Sequence, residues 1–179
     1  MADPRHIILL AQYNAWMNAK VLEAAARLPA EALTADRGAF FRSILGTLNH
    51  LMVADLLWLR RFRTHPAGYT TLDPVMALPP PTRLHEALYA DLASLAADRQ
   101  VMDTAISQWA ACIRPCDLNH VLAYTSSTGT ACARRFGDLI VHFFNHQTHH
   151  RGQATTLLTQ AGQDVGITDL VALIPDEAP

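Results

Sequence analysis

Apolar residues recur every three to four positions along much of the chain, which is the period of helices with buried faces. In the first such stretch, Asp3 supplies a capping carboxylate and Pro4 suits a first helical turn, so a helix is predicted from there to Pro29. Ser43 is the predicted cap of a second helix, which runs to about Phe62. Two long helices are therefore expected in the first third of the chain.

The second predicted helix is apolar on two sides. A helix of this kind must be covered twice, either by three neighbours in a bundle or by a bundle and a partner subunit, so the pattern favours an oligomer. One side carries Ile44, Leu48, Leu51, Met52, Leu59 and Phe62, and the other carries His50, Val53, Ala54, Leu57 and Trp58.

A proline-rich stretch separates the second helix from the third. Residues 65–81 include five prolines and a glycine, which cannot continue a regular helix and predict a long surface connection. Thr82 is the predicted start of the third helix. Its apolar period extends from Leu84 to Trp109 and weakens beyond Asp103.

The last third of the chain begins with turn-forming residues. Residues 112–132 contain a Ser/Thr/Gly-rich run with β-prone neighbours, so we expect an irregular crossover or a small hairpin. A fourth helix is predicted from about Arg134 to Gln160, with a stop at Gly162. The prediction is a single all-α domain, residues 1–179, in which a long irregular crossover precedes the last helix of a four-helix bundle and strand content is near zero.

Length, charge and hydropathy narrow the class of protein. The chain has 179 residues, half of them apolar, which suits one domain with a sizeable core. It carries 14 basic and 16 acidic residues without a basic block, so nucleic acid is not an expected partner. No segment approaches the roughly 20 uninterrupted apolar residues of a membrane helix, and no signal peptide is recognisable at Met1. A cytoplasmic protein without a membrane partner is expected.

The three cysteines fit a reducing compartment, because an odd number argues against a disulfide framework. Cys112 and Cys116 are close enough in sequence to form a thiolate metal pair, although small, semi-buried cysteines without a ligand have the same spacing.

Histidines are concentrated in the last predicted helix. Four of the nine in the chain lie within nine residues there. His142, His146 and His150 follow one another at intervals of four, on the same stripe as apolar residues, and are expected to point into the bundle. His149 lies toward the edge of that stripe. The remaining histidines, His6, His65, His85 and His120, are interpreted as surface residues.

Two imidazoles one helical turn apart can meet a metal ion at about 2.0–2.1 Å. A third ligand must come from another helix, because His142 and His150 lie roughly 12 Å apart along a straight helix at about 1.5 Å per residue. His50 is the best donor, since it lies mid-helix among apolar residues. The alternative is a set of buried imidazoles that bond to carbonyls, in which each ring would need its own partner.

Three segments that contain these residues resemble the DinB/YfiT-like family of helical metalloproteins. Residues 145–153 read NHQTHHRGQ, close to the family signature NHxTxHRGQ. Residues 48–55 read LNHLMVAD and residues 13–18 read YNAWMN, each similar to a family segment in the expected order. The resemblance implies an up-down-down-up four-helix bundle, usually dimeric, with a divalent ion held by three histidines. At the matching positions these are His50, His146 and His150.

Several neighbours are candidates for contacts with a ligand histidine or with a substrate. Gln153 lies on the ligand stripe and could bond a metal-bound water or a substrate. Asp55 interrupts an apolar stripe, either as an acceptor for an imidazole or as the partner of an arginine. Arg151 is expected to clamp the crossover. His142, His149 and Asp55 are the available candidates for a general base.

Three histidine ligands leave coordination positions open, as in catalytic zinc sites. Relatives implied by the resemblance include transferases that use low-molecular-weight thiols such as bacillithiol or mycothiol, so a metal-dependent thiol S-transferase is the preferred hypothesis. A metal-dependent hydrolase is the second, and a non-catalytic, stress-associated protein with a structural ion is the third. Imidazole ligands suit zinc, nickel, iron or copper, so the sequence does not identify the metal.

Overall fold

The computed structural model describes residues 3–177 and is mostly helical. Within that range a small antiparallel sheet accompanies the helices, so the all-α prediction is corrected to a mostly helical fold with one hairpin. The elements are α1 (Pro4–Ala26), α2 (Ala30–Thr34), α3 (Ile44–Phe62), α4 (Asp73–Met76), α5 (Leu92–Cys112), β1 (Val121–Thr125), β2 (Ala131–Arg135) and α6 (Phe136–Gln160). Short 3-10 turns occur at Thr70–Leu72, Asp117–Asn119 and Leu170–Leu173.

The capping residues begin α1 and α3 where the sequence predicts. The Asp3 carboxylate accepts a hydrogen bond from the Arg5 backbone N–H at 2.8 Å, and the Ser43 hydroxyl accepts one from Gly46 at 3.0 Å. Each bond satisfies a backbone donor that the helix itself leaves unpaired. The predicted starts of these two helices are confirmed.

The third long helix begins ten residues later than predicted. Its N-cap is Asp91, whose carboxylate accepts from the Ser94 N–H at 2.8 Å, and not Thr82. Thr82 instead donates its backbone N–H to the Glu86 carboxylate at 2.7 Å. Apolar spacing alone did not distinguish this irregular segment from a helix.

Residues 82–90 are held against α3 by a buried asparagine. The Asn49 amide accepts a hydrogen bond from the Tyr89 N–H at 2.9 Å and donates one to the Tyr89 carbonyl at 3.0 Å. On the second apolar side of α3, Val53 and Ala54 are fully buried by the same chain. Neighbours within the same chain therefore cover these two residues, which is the first of the two predicted ways of covering this side, and the homodimer stays a prediction.

The turn-rich crossover forms the hairpin of β1 and β2. The strands pair with Leu122 opposite Arg134, and Gly129 occupies the turn with φ of +82°. That backbone angle favours glycine, and β-prone residues precede it. Since Arg134 and Arg135 pair in β2, α6 begins at Phe136 rather than at Arg134.

The long helices pack around an aromatic core. Helix α1 contacts α5 and α6, and α3 contacts α6. Trp109, Phe62, Phe136 and Phe143 are completely or almost completely buried at the centre. The midpoint of α3 therefore lies beside the histidine-rich part of α6. None of the helices described between residues 3 and 177 is long and apolar enough to cross a bilayer.

Candidate metal centre

Three imidazoles from α3 and α6 converge at one point. The Nε2 atom of His50 lies 3.2 Å from Nε2 of His146 and 3.2 Å from Nε2 of His150. Nitrogen ligands at about 2.0–2.1 Å from a tetrahedral ion would lie about 3.3 Å apart, so these spacings match a shared metal ion. Among residues 3–177 this is the only group of three or more histidine, cysteine or acidic side chains with such a geometry.

Gln153 fixes the tautomer of His150. Its carbonyl Oε1 lies 2.8 Å from His150 Nδ1, and its amide Nε2 lies 3.4 Å from Nε2 of His149. Because the carbonyl can only accept, Nδ1 of His150 carries the proton and Nε2 presents a lone pair to the other two rings. Gln153 therefore supports a candidate ligand, which is one of the two roles that the sequence predicts for it.

Burial keeps the three imidazoles neutral at pH 7. Burial, together with the smaller effect of the nearby His150, lowers the pKa of His50 to about 4 and that of His146 to about 3. Burial also lowers the pKa of His150. Metal ligation requires neutral imidazole, so these side chains are already in the required form.

The arrangement fits a cation better than a purely hydrogen-bonded cluster. The unprotonated Nε2 of His150 can only accept a hydrogen bond. If His50 carried a proton on Nε2, it could donate a good hydrogen bond to His146 or to His150, but not to both. A positive ion at the point of convergence would satisfy all three lone pairs at once. The residues present therefore suit a divalent metal ion.

Two aromatic side chains near the centre were not recognised in the sequence. Phe41 stacks on His50 with ring centroids 4.0 Å apart and contacts the edge of His150 at 5.4 Å. His85 lies 6.4 Å from the His50 ring and nearly parallel to it. Phe41 lies in an irregular segment before α3, and His85 lies in a segment whose apolar period predicts a helix that the structure does not form. His85 is exposed, as predicted for a surface residue, and it also lines a cleft beside His50.

Two clefts approach the centre from different sides. The first, about 420 Å³, is lined by His50 together with Phe41, Arg42 and His85. The second, about 270 Å³, is lined by His146 and by residues of α3 and the hairpin. Leu84 lines both. A larger cleft of about 600 Å³ lies between α1 and α5, away from the three histidines.

Of the remaining candidate residues, Asp55 has one of the two partners predicted for it, whereas His142 does not point into the bundle. His142 is exposed and packs its ring 5.1 Å from that of Trp58, outside the group of three. Burial lowers its pKa, and Arg134 and Arg61 nearby lower it further. Asp55 is buried and pairs with Arg99, with an oxygen to Nη1 distance of 2.5 Å. Of the two alternatives for Asp55, the structure shows the arginine partner.

Arg151 clamps α1 and not the crossover. It donates to the side-chain oxygens of Asn14 and Asn18, and its guanidinium lies 5.5 Å from the centre of the Tyr13 ring. Asn14 and Asn18 in turn donate to Asp103. The family-like segments of the first and last helices are therefore in direct contact.

Two of the other histidines are not ordinary surface residues. His65 is buried, with its Nε2 bonded to the Asp117 carbonyl at 3.2 Å and its Nδ1 accepting from the Ala67 N–H at 3.0 Å. The His120 ring is half-buried and lies 4.6 Å away. These contacts tie the segment after α3 to the segment after α5, so their role is structural.

The cysteines do not form a metal centre with other ligands. Cys112 and Cys116 are exposed and Cys132 is half-buried, all three as free thiols. Neither member of the pair belongs to a group of three candidate ligands in the described part of the chain.

Comparisons with known proteins place the whole described chain in one family. The sequence model of the DinB family matches residues 1–177. Protein DinB of Bacillus subtilis (strain 168) is 28% identical over 167 residues, which cover 89% of this chain and 88% of that protein. No solved structure matches the chain.

Proposed function

Because the chain belongs to the DinB family, we propose that it is a metal-binding member in which His50, His146 and His150 hold one divalent ion. The observation that carries the proposal is the convergence of their three Nε2 atoms, with the proton of His150 held on Nδ1 by Gln153. Zinc, nickel and iron all suit these ligands. The hydrogen bond from Nδ1 to a carbonyl is the usual support behind a histidine ligand.

We propose metal-dependent thiol S-transfer as the activity. A bound ion would favour the thiolate form of a small thiol in an open coordination position. The chain itself contributes neutral ligands, a Phe41 ring that covers one face of His50, and two clefts through which two reactants can reach the same point. Two separate approaches suit a thiol and an electrophile better than a single substrate.

Hydrolysis is the weaker alternative because candidate general bases are engaged elsewhere. Asp55 is paired with Arg99, and His149 lies within hydrogen-bonding distance of Gln153. His142 lies beside the second cleft and is the remaining candidate. A purely structural ion is also less favoured, since only three candidate ligands are present among residues 3–177, and each of the two clefts is lined by one of them.

The bundle topology, the oligomeric state and the location of the protein are proposed from its family. We propose that α1, α3, α5 and α6 form one up-down-down-up bundle over residues 1–179, that two chains form a homodimer, and that the protein is cytoplasmic. The close packing of α1 with α5 and α6, and of α3 with α6, supports the bundle.

Removal of the metal tests the activity directly. The purified full chain should contain about one divalent ion, and a screen of small thiols with a chromogenic aryl halide should show thioether formation with release of halide. Chelation should abolish that rate, and one equivalent of ion should restore it. Equal rates in the chelated and the loaded protein would contradict metal-dependent thiol transfer, and ester hydrolysis by the loaded protein without thiol consumption would favour the hydrolase.

Replacement of Gln153 by leucine should weaken metal binding by roughly 10–100-fold, the typical effect of losing a group that supports a histidine ligand. Gln153→Glu should retain most of the affinity, because its carboxylate can still accept from Nδ1 of His150. Competition with a chromophoric chelator measures both values. Gln160→Leu is the matched control, since Gln160 is exposed on the same helix beyond the site. Equal affinities for Gln153→Leu and Gln160→Leu would exclude a supporting role for Gln153.

A further inference from the structure

The cleft beside His146 has a distinct chemical lining. We call it the hairpin cleft, and it is lined by Trp58 and Arg61 of α3, Tyr124 and Ser126 of the hairpin segment, and His142 and His146 of α6. None of the side chains that line it is acidic. The only fixed positive charge that lines this cleft is the guanidinium of Arg61.

Arg61 is held in place by aromatic rings and a backbone carbonyl. Its guanidinium carbon lies 4.6 Å from the centre of the Trp58 ring and 4.9 Å from that of Tyr124, and Nη2 donates to the Thr125 carbonyl at 3.0 Å. Within residues 3–177, no carboxylate lies at salt-bridge distance from it. The structure therefore fixes a cation beside the metal centre and gives it no counter-ion.

The cleft beside His50 differs from the hairpin cleft in the charged side chains that line it. Its arginine, Arg42, is already paired with Asp36 at 2.8 Å, and Glu86 adds an acidic group to the lining. Phe40 and Phe41 supply much of the remaining surface. An anionic group would be favoured in the hairpin cleft and an uncharged, apolar group in the cleft beside His50.

We propose that the hairpin cleft binds the carboxylate of a small thiol whose sulfur reaches the ion at His50, His146 and His150, and that Arg61 selects for that carboxylate. The inference rests on the proposed thiol-dependent function, and it specifies in addition that the thiol substrate is negatively charged. Planar guanidinium donors match the geometry of a carboxylate, and the aromatic faces keep them oriented before the ligand arrives.

A comparison of two thiols of equal size distinguishes recognition of the carboxylate charge from binding of the sulfur. The full chain is loaded with cobalt(II), and dissociation constants are measured from the thiolate-to-cobalt absorption band for 3-mercaptopropionate and for the uncharged 3-mercaptopropionamide. The carboxylate should bind about tenfold more tightly, as expected for a charge-assisted hydrogen bond. Arg61→Gln should abolish that preference. Arg42→Gln is the matched control and should retain it.

Arg61→Lys distinguishes charge from packing, because lysine keeps the charge and loses the planar stack. It should retain part of the preference for the carboxylate. The inference is overturned if the wild type binds both thiols equally, if the preference survives in Arg61→Gln, or if Arg61→Gln and Arg61→Lys weaken both thiols by the same factor. If neither thiol changes the spectrum of cobalt-loaded protein, the proposed thiol function fails together with this inference.

Discussion

His146→Ala should abolish stoichiometric metal binding, with the affinity reduced by more than the roughly 100-fold that loss of a supporting group can cause. The reason is that only His50 and His150 would be left at a point where the structure provides three nitrogen ligands. Alanine is the best helix former, so α6 should persist. Metal analysis after dialysis against a weak chelator gives the stoichiometry.

Thermal unfolding gives a second readout of the same variant. An ion at about 1,000 times its dissociation constant adds about 4 kcal/mol to the free energy of unfolding. In a chain of this length that corresponds to a rise in Tm of roughly 10 °C. The wild type should show this rise when the ion is added, and His146→Ala should not.

His142→Ala is the matched control, one turn earlier on the same helix. His142 lies outside the group of three, so its loss should leave the stoichiometry unchanged. Retention of one tightly bound ion by His146→Ala, or an equal loss in His142→Ala, would contradict the assignment of the ligands.

The three histidines could be predicted because helical geometry relates sequence spacing to position. His146 and His150 lie one turn apart on α6, and that spacing persists whatever the helix packs against. His50 could be selected because few other histidines lie in the middle of an apolar helix. The meeting of the two helices was supported by the requirement for a third ligand and by the family resemblance.

The surroundings of the site could not be derived in the same way, because they depend on irregular backbone. Phe41 precedes the Ser43 cap, and His85 lies in a segment that was predicted to be helical. That segment is held by Asn49, which reaches 40 residues along the sequence to Tyr89. A single buried hydrogen-bonding pair of this kind outweighs a weak apolar period, and the sequence contains no local sign of it.

Buried charges were visible in the sequence only as interruptions of apolar stripes. Asp55 is recognisable as such an interruption. Its partner Arg99 is not, because nothing in the apolar pattern of α5 indicates that this arginine is buried. The sequence also predicts that Arg151 points away from the ligands, and in the structure its guanidinium contacts Asn14 of α1. The polar residues of the last helix therefore have two roles: His146 and His150 converge with His50, and Arg151 points toward the core.

A buried network of four charged residues joins α3, α5 and α6 and contacts two asparagines of α1. Asp55 contacts Arg99 at 2.5 Å, and Arg99 contacts Asp103 at 2.9 Å. Burial alone would lower the pKa of Arg99, but Asp103 and Asp55 raise it above its usual value. Burial lowers the pKa of Arg151 to about 10, while Asp55 opposes the change, so both arginines are charged at pH 7. Burial raises the pKa of Asp55 and that of Asp103, while Arg99 opposes both changes. When both carboxylates are ionised, two positive and two negative charges balance inside the helices.

Asp55→Asn should lower the free energy of unfolding by about 3–5 kcal/mol, because it leaves two buried guanidinium groups with one carboxylate. The expected fall in Tm is roughly 10 °C, measured on metal-free protein so that ligand binding does not contribute. The double variant Asp55→Leu/Arg99→Met should recover much of the loss, since it removes both charges of the pair. Glu23→Gln is the control, because the Glu23–Arg27 pair is largely exposed and should change stability by less than about 1 kcal/mol. If Asp55→Asn were as mild as Glu23→Gln, or if the double variant were less stable than the single one, the balance of charge would not be what stabilises this part of the fold.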